Sequence, residues 1–432
     1  MPPRPTSFGV IFLVLFLDLV GFSILFPLYP FILDHYLTQD SWLLHGILAW
    51  IHHGWPEASP VQTAALFGGV LGSGYALLQF LTAPVWGRLS DRIGRRPVLF
   101  CSLVGSVISY LIWAVSGSFA LLLLSRLVAG VMGGAAITAS AAVADVTADA
   151  KARARGMGLV GMAFGLGFIL GPMLGGLLAH PCLRIDGFAG LSAWGLNPFS
   201  TPALVAAGLS AFNLWWAWRS FGETLPVERR GVVSAERTAN PVRLFSGDFA
   251  RSLVLLNLVT LAYTALFSGM ESTLGFLVHD HLAYGPFHIA LLFGGMGVIA
   301  ALMQGGIFRR FAPRYGAKPL AIIGFVLLSV GLLLLARVGN QPSDALLVSG
   351  IAIMSCGTGL VFPALSTLVS LAADERNQGR AMGGFRSASS LGRALGPLVA
   401  ALAYFQIGSG APYWISGVGM ALPLMLVLKV RV

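Results

Sequence analysis

The chain has 432 residues, 56% of them hydrophobic and only 10% charged, with a mean hydropathy of +0.81. No water-soluble core of this size hides that much apolar side chain, so the composition excludes a soluble enzyme or binding module and places the chain in lipid. The net charge of +10 then reads as basic loops facing an anionic leaflet, which excludes nucleic acid as the reason for the basic balance.

An apolar run from about residue 8 to residue 33 is too long for a signal-peptide core and has no small-residue cleavage site after it, so it predicts a first membrane helix. Residues 34–60 hold Trp42, Trp50, Trp55, His45, His52 and His53 and predict an interfacial amphipathic segment. A metal site there is disfavoured, since the adjacent His52 and His53 face different directions. Further spans are predicted at 61–85, 97–116, 119–144, 156–179, 200–220, 251–277, 287–308, 318–337, 343–371, 381–405 and 411–429. The fold class is therefore an all-α membrane protein with twelve transmembrane helices. With both termini in the cytoplasm, 22 of the 27 Lys plus Arg fall on the inner side; outer loops keep Arg184 and Arg337, and Arg126, Arg386 and Arg393 lie within spans.

Between the second and third spans stands GRLSDRIGRRP, Gly87 to Pro97, and a weaker copy, RRFAPRYGAKP, recurs at Arg309 to Pro319, 222 residues later. Met157, Gly158 and Gly171-Pro172 return as Met382, Gly383 and Gly396-Pro397, 225 residues on. A duplicated unit follows: a six-helix bundle at 1–220, a polar linker at 221–250 and a pseudo-symmetric six-helix bundle at 251–432. In the first loop Gly87 is expected to give a tight exit from helix two, Gly94 to reverse the backbone, and Pro97 to open the next helix where no amide hydrogen bond is lost.

Ionisable groups inside spans are the functional candidates, because each costs roughly 2.5–3.5 kcal/mol or more at the bilayer centre unless paired or facing water. They are Asp18, Arg126, Glu271, Arg386 and Arg393, with Gln79, Asn213, Asn257 and Gln304 as neutral polar members. Asp18 and Glu271 are candidates for proton or substrate binding. Arg386 either snorkels to the inner surface or faces a cavity, and Arg393 partners either a substrate anion or Glu271. Gln79 and Gln304 either line a cavity or bridge helices. The glycines of the fifth span, Gly158, Gly161, Gly165, Gly167, Gly171, Gly175 and Gly176 with Pro172, have the spacing that lets two helices approach closely. Cys101, Cys182 and Cys356 are scattered and predict neither a disulfide framework nor a metal site. A phosphate-cradling GxxxxGK[ST] and a nucleophile–base set are both missing, so no cofactor, nucleotide or enzymatic activity is expected.

GYALLQFLTAPVWGRLSDRIGRRPVL, the opening LDLVGFSILFPLYP, RLVAGVMGGAAITASAAVAD and GLGFILGPMLGG together resemble the major facilitator superfamily over essentially the whole chain. More narrowly they look like its twelve-helix drug:proton antiporters, typified by tetracycline efflux proteins. LFSGMESTLGFLVHDHL and FRSASSLGRALGP look most like the vertebrate tetracycline-transporter-like branch of proposed organic-anion exporters. The resemblance implies a conformational latch in which Asp91 sits against the N-terminus of helix eleven and Arg95 reaches Asp145 at the inner end of helix four, with Arg92 beside them. Pro313 stands where the first copy has Asp91, so the latch is asymmetric. Arg126 resembles the family's helix-four arginine implicated in proton transfer, and Gly167, Gly171, Pro172, Gly175 and Gly176 resemble its antiporter motif. The implied protein is a monomer in the bilayer of a bacterial inner membrane. It exports amphipathic drugs or organic ions in exchange for protons, with the substrate near the midplane between the halves. An uncoupled facilitator or importer of a small metabolite is the alternative, against which the membrane carboxylates Asp18 and Glu271 argue.

Overall fold

The structure is a computed structural model and describes residues 7–37, 42–54, 60–146, 150–183, 195–230, 251–373 and 378–430. The described residues form helices and no strand. In chain order these are α1 (Phe8–Ser23), α2 (Tyr29–Leu37), α3 (Trp42–Gly54), α4 (Pro60–Ile93), α5 (Arg95–Ala114), α6 (Phe119–Val131), α7 (Ala135–Asp145), α8 (Ala150–Leu178) and α9 (Ser200–Ser220). The second part holds α10 (Arg251–Leu282), α11 (Pro286–Leu302), a π turn (Met303–Phe308), α12 (Arg309–Tyr315), α13 (Ala317–Val338), α14 (Asp344–Ala372), α15 (Gln378–Gln406), α16 (Ala411–Gly419) and α17 (Ala421–Lys429). Nine helical runs among the described residues are long and apolar enough to cross a membrane. α8, α9 and α15 have the length of a span and fall outside that class. Most of the linker, residues 231–250, lies outside the described residues.

Two compact units are present and do not coincide with the two halves of the sequence. One comprises Met1–Leu28, Tyr36–Leu44 and Leu77–Asn240, the other Tyr29–His35, His45–Ala76 and Pro241–Val432. In the first unit α8 packs along α1. A Cβ at Gly167, Gly171 or Gly175 would collide with Leu19, with Ser23 and Val20, or with Ile24, so the expected close approach is made by every fourth residue of one face. Ser23 Oγ donates to Gly167 O at 2.9 Å across the contact. The second unit repeats the device: Gly392 and Gly396 of α15 press on Leu261 to Ser268 of α10, and Ser268 Oγ donates to Gly392 O at 3.3 Å. Gly69, in the first half of α4, likewise admits Pro397 and Ala401.

The segment after the first span forms α3, whose Leu44 and Leu48 are buried while His45 and His53 are exposed. This is the one-sided burial of an amphipathic helix.

The fourth predicted span breaks between α6 and α7 at Met132–Gly134. The carbonyls freed there are recaptured by side chains, as the interior of a membrane protein requires. Trp86 Nε1 donates to Val131 O at 2.7 Å, Ser102 Oγ to Met132 O, and Gln79 Nε2 to Gly133 O at 3.5 Å. Gln79 thus bridges helices.

One expectation for the first loop fails. Gly87 provides no exit from helix two, because α4 continues unbroken to Ile93 and a Cβ at position 87 would meet nothing within 4 Å. The reversal is made at Gly94 alone, with φ +109, a left-handed value that side chains disfavour. Gly316, 222 residues later, repeats it at φ +83.

Candidate functional site

The loop residues assemble into a buried charge network. Asp91, in the last turn of α4, and Arg95, the first residue of α5, are 0% and 2% exposed. Arg95 Nη1 is 2.5 Å from Asp91 Oδ1 and donates to Ser90 Oγ at 2.7 Å, while its Nε donates to Asp145 Oδ2 at 2.8 Å. The expected Arg95–Asp145 contact is therefore present. One guanidinium spans the ends of three helices, α4, α5 and α7, an arrangement its planar fork suits better than a lysine. Arg92 is exposed beside it. The expected seat of Asp91 against the N-terminus of helix eleven falls at the start of α15, where the side chains of residues 374–380 lie outside the described residues.

Glu223, just past α9, completes this network and went unrecognised in the sequence. Its carboxylate accepts Arg95 N at 2.9 Å and Arg96 N at 3.2 Å, occupying the open amides and positive dipole end of α5. Thr224 Oγ1 adds a bond to Asp145 Oδ2 at 3.2 Å. A signal was available: an acid directly after a helix C-terminus opposes that helix's own dipole and so serves something else. Position 96 and its repeat, 318, share a second task. Arg96 donates to Trp218 O at 3.0 Å at the end of α9, and Lys318 Nζ donates to Leu428 O at 2.9 Å and Val430 O at 2.8 Å at the end of α17. In each unit the second residue after the left-handed glycine closes the carbonyl end of a later helix.

The intramembrane groups of the first unit gather around Tyr110. Asp18, mid-way along α1, accepts a hydrogen bond from Ser106 Oγ at 3.4 Å, and among the described residues no cation lies within ion-pair distance of it. Arg126 is 4% exposed, with its guanidinium 5.1 Å from the Trp113 ring centre and 5.9 Å from that of Tyr110. Its Nη2 has no hydrogen-bond partner among the described residues. Tyr110 lies within electrostatic reach of both Asp18 and Arg126. Asn213 holds α9 to α1 through a 2.9 Å bond to Val14 O.

In the second unit Glu271 of α10 and Arg393 of α15 meet at 3.8 Å, with exposures of 8% and 28%. Arg393 thus lies within ion-pair distance of Glu271, one of its two expected partners. Tyr263, eight residues before Glu271 on α10, lies within electrostatic range of both charges. Arg386, seven residues before Arg393 on α15, is half-buried. Asn257 is 1% exposed within α10. Gln304 sits in the π turn, half-buried, rather than in a regular helix. Pro172 and Gly176 are buried with Gly167, Gly171 and Gly175, while Gly165 is exposed; the side-chain surroundings of positions 158 and 161 lie outside the described residues.

The chain matches the family model of the Major Facilitator Superfamily over residues 11–314 and 307–432. It is 35% identical to human Major facilitator superfamily domain-containing protein 10, over 99% of this chain and 94% of that protein. Against the class C tetracycline resistance protein of Escherichia coli the identity is 30%, over 96% of this chain and 94% of the relative. The crystal structure of the human organic anion transporter MFSD10 superposes with a TM-score of 0.77 at 33% identity, covering 99% of this chain and all of that one. With these relatives the chain belongs to the major facilitator superfamily and is a multi-pass membrane transporter.

Proposed function

We propose that the protein is a proton-coupled antiporter of organic anions, working by alternating access with twelve spans in two pseudo-symmetric bundles. The observation that carries the proton role is Asp18: a carboxylate set in an apolar helix, with Ser106 as hydrogen-bond partner and no cation partner among the described residues, is neutralised at least cost by a proton. The anion is supported by the balance of charge within the spans, three guanidinium groups (Arg126, Arg386, Arg393) against two carboxylates (Asp18, Glu271). The transported class of the human relative agrees with it. The crowding of lysine and arginine on one side supports both termini in the cytoplasm. The expectation of a bacterial inner membrane rests on the likeness to tetracycline efflux proteins alone, since the relatives are bacterial and vertebrate alike.

Vesicles of the purified protein with an acid lumen and an alkaline exterior provide the test. An antiporter accumulates an added amphipathic carboxylate inside as protons leave, and a protonophore abolishes the accumulation. Passive weak-acid permeation runs the other way, towards the alkaline side, so the sign of the flux is diagnostic. Equilibration without response to the gradient would establish the facilitator instead.

A further inference from the structure

The second copy of the charged loop differs from the first in what its cations meet. Counted 222 positions on, Asp91 becomes Pro313 and Arg95 becomes Ala317, so the buried network has no equivalent, while Arg88, Arg92 and Arg96 return as Arg310, Arg314 and Lys318 and Arg309 replaces Gly87. Arg309, Arg310 and Arg314 are exposed. Among the described residues their guanidinium groups make no hydrogen bond or ion pair; Arg314 lies 5.6 Å over the ring of Tyr315. Acids are absent from this end of the unit as well. From residue 251 on, the described carboxylates are Glu271 within α10, Asp280 at the C-terminus of α10 and Asp344 at the N-terminus of α14, whereas α12 joins the C-terminus of α11 to the N-terminus of α13. Arg310 and Arg314, four residues apart on α12, are neighbours on its surface, where like charges repel unless an anion stands between them. The apolar helical run Pro286–Tyr315 has 30 residues. At about 1.5 Å per residue it is about 45 Å long, the thickness of a bilayer with its headgroups rather than of the hydrocarbon alone. α12 thus ends the run at headgroup depth. Beside its cations stand Tyr315, 56% exposed with Phe311 at 5.9 Å from its ring, and, towards the bilayer, Ile307 and Leu302, 40% and 67% exposed.

We propose that α12 is a docking surface for an anionic glycerophospholipid, with the phosphate between Arg310 and Arg314 and the acyl chains along Ile307 and Leu302. In the first copy of the loop the protein supplies the counter-charge, through Asp91; in the second the membrane supplies it. Depth selects a lipid over an acidic peptide, which would approach from water and leave Ile307 and Leu302 uncovered. Charge selects the headgroup: phosphatidylcholine brings its own cation against the three arginines, and phosphatidylglycerol does not.

Native mass spectrometry of the detergent-solubilised full chain, titrated with phosphatidylglycerol and phosphatidylcholine of identical acyl chains, tests the surface without any transported substrate. The expected result is a preference for phosphatidylglycerol of about tenfold or more, and Arg309→Gln, Arg310→Gln and Arg314→Gln combined should lower it at least about fivefold, the effect of one basic side chain near an anionic surface. A smaller fall in the folded triple variant overturns the proposal, as does equal binding of the two lipids by the unsubstituted protein. Arg337→Gln, at the far end of α13, should leave the preference unchanged; a fall there as large as in the triple variant would mean that charge counts and place does not, which is equally fatal. Should the triple variant not fold, the pair Arg310→Gln and Arg314→Gln is read by the same criterion. Loss of the phosphatidylglycerol adduct on addition of equimolar inorganic phosphate would show a free-anion site, and its loss to equimolar polyglutamate a peptide site; either result overturns the lipid assignment.

Discussion

At the scale of single residues, the carboxylates inside the helices divide, among the described residues, into Asp18, with no cation within ion-pair distance, and Glu271, with Arg393. Asp18→Asn keeps the shape of the side chain and removes its ability to change charge, so pH-driven accumulation should vanish while the yield and melting temperature of the protein stay near those of the parent. Retained gradient-driven flux in that variant would remove Asp18 from the coupling. Glu271 and Arg393 make a different prediction because they face each other at 3.8 Å. Removing either partner leaves a charge poorly compensated. With Arg393 still 28% exposed, solvent screens part of the loss, and a coupling energy of about 1–2 kcal/mol is expected, below the range for fully buried pairs. Melting temperatures of Glu271→Gln, Arg393→Ala and the double variant measure it; strictly additive losses would mean that the pair does not interact. Glu223→Ala removes the acceptor of two α5 amides and should cost about 1 kcal/mol, an N-cap-sized effect. Denaturation that is insensitive to this change would show the cap to be idle.

At the scale of elements, the same glycine device holds α8 to α1 and α15 to α10, and it predicts sharply position-dependent costs. Gly171→Ala and Gly396→Ala put a methyl group into the backbone or hydroxyl of the facing helix, Val20 and Ser23 in one case and Ala265 and Ser268 in the other. Each should destabilise by about 1–3 kcal/mol, the usual cost of overpacking. Gly165→Ala, on the same helix as Gly171, meets nothing within 4 Å and should be neutral or slightly stabilising. Thermal melts of the three proteins decide this, and equal behaviour of Gly165→Ala and Gly171→Ala would dismiss the contact. Repetition in the eleventh predicted span shows that the glycine pattern of the fifth is helix-packing chemistry in the first place.

At the scale of the whole molecule, the Asp91–Arg95–Asp145 network ties the ends of α4, α5 and α7 within one unit; on the expectation that Asp91 also seats on the dipole at the start of helix eleven, Asp91→Ala should redistribute the transporter towards inward-open states. The expected shift corresponds to about 0.3–2 kcal/mol, and spectroscopic distance distributions between labelled helix ends would report it; an unchanged distribution would detach the network from the transport cycle. Much of this architecture was legible from residue order alone. Apolar runs of membrane length, the 222-residue echo of the Gly94 loop at Gly316, and the presence of charges within spans are all local or periodic properties of the sequence. Partners at long range were not. That Glu223 would cap α5 from 128 residues away, that Gln79 would serve the break in the fourth span, and that Arg393 would turn to Glu271 were decided only when helices distant in sequence packed together. A buried polar atom takes whichever complementary group packing brings within about 3 Å, and spacing along a chain does not encode that encounter. The misplaced role of Gly87 has the same origin: with no neighbour pressing on it, a glycine in an otherwise helical stretch simply remains helical, and only the closed geometry at Gly94 demanded the left-handed backbone.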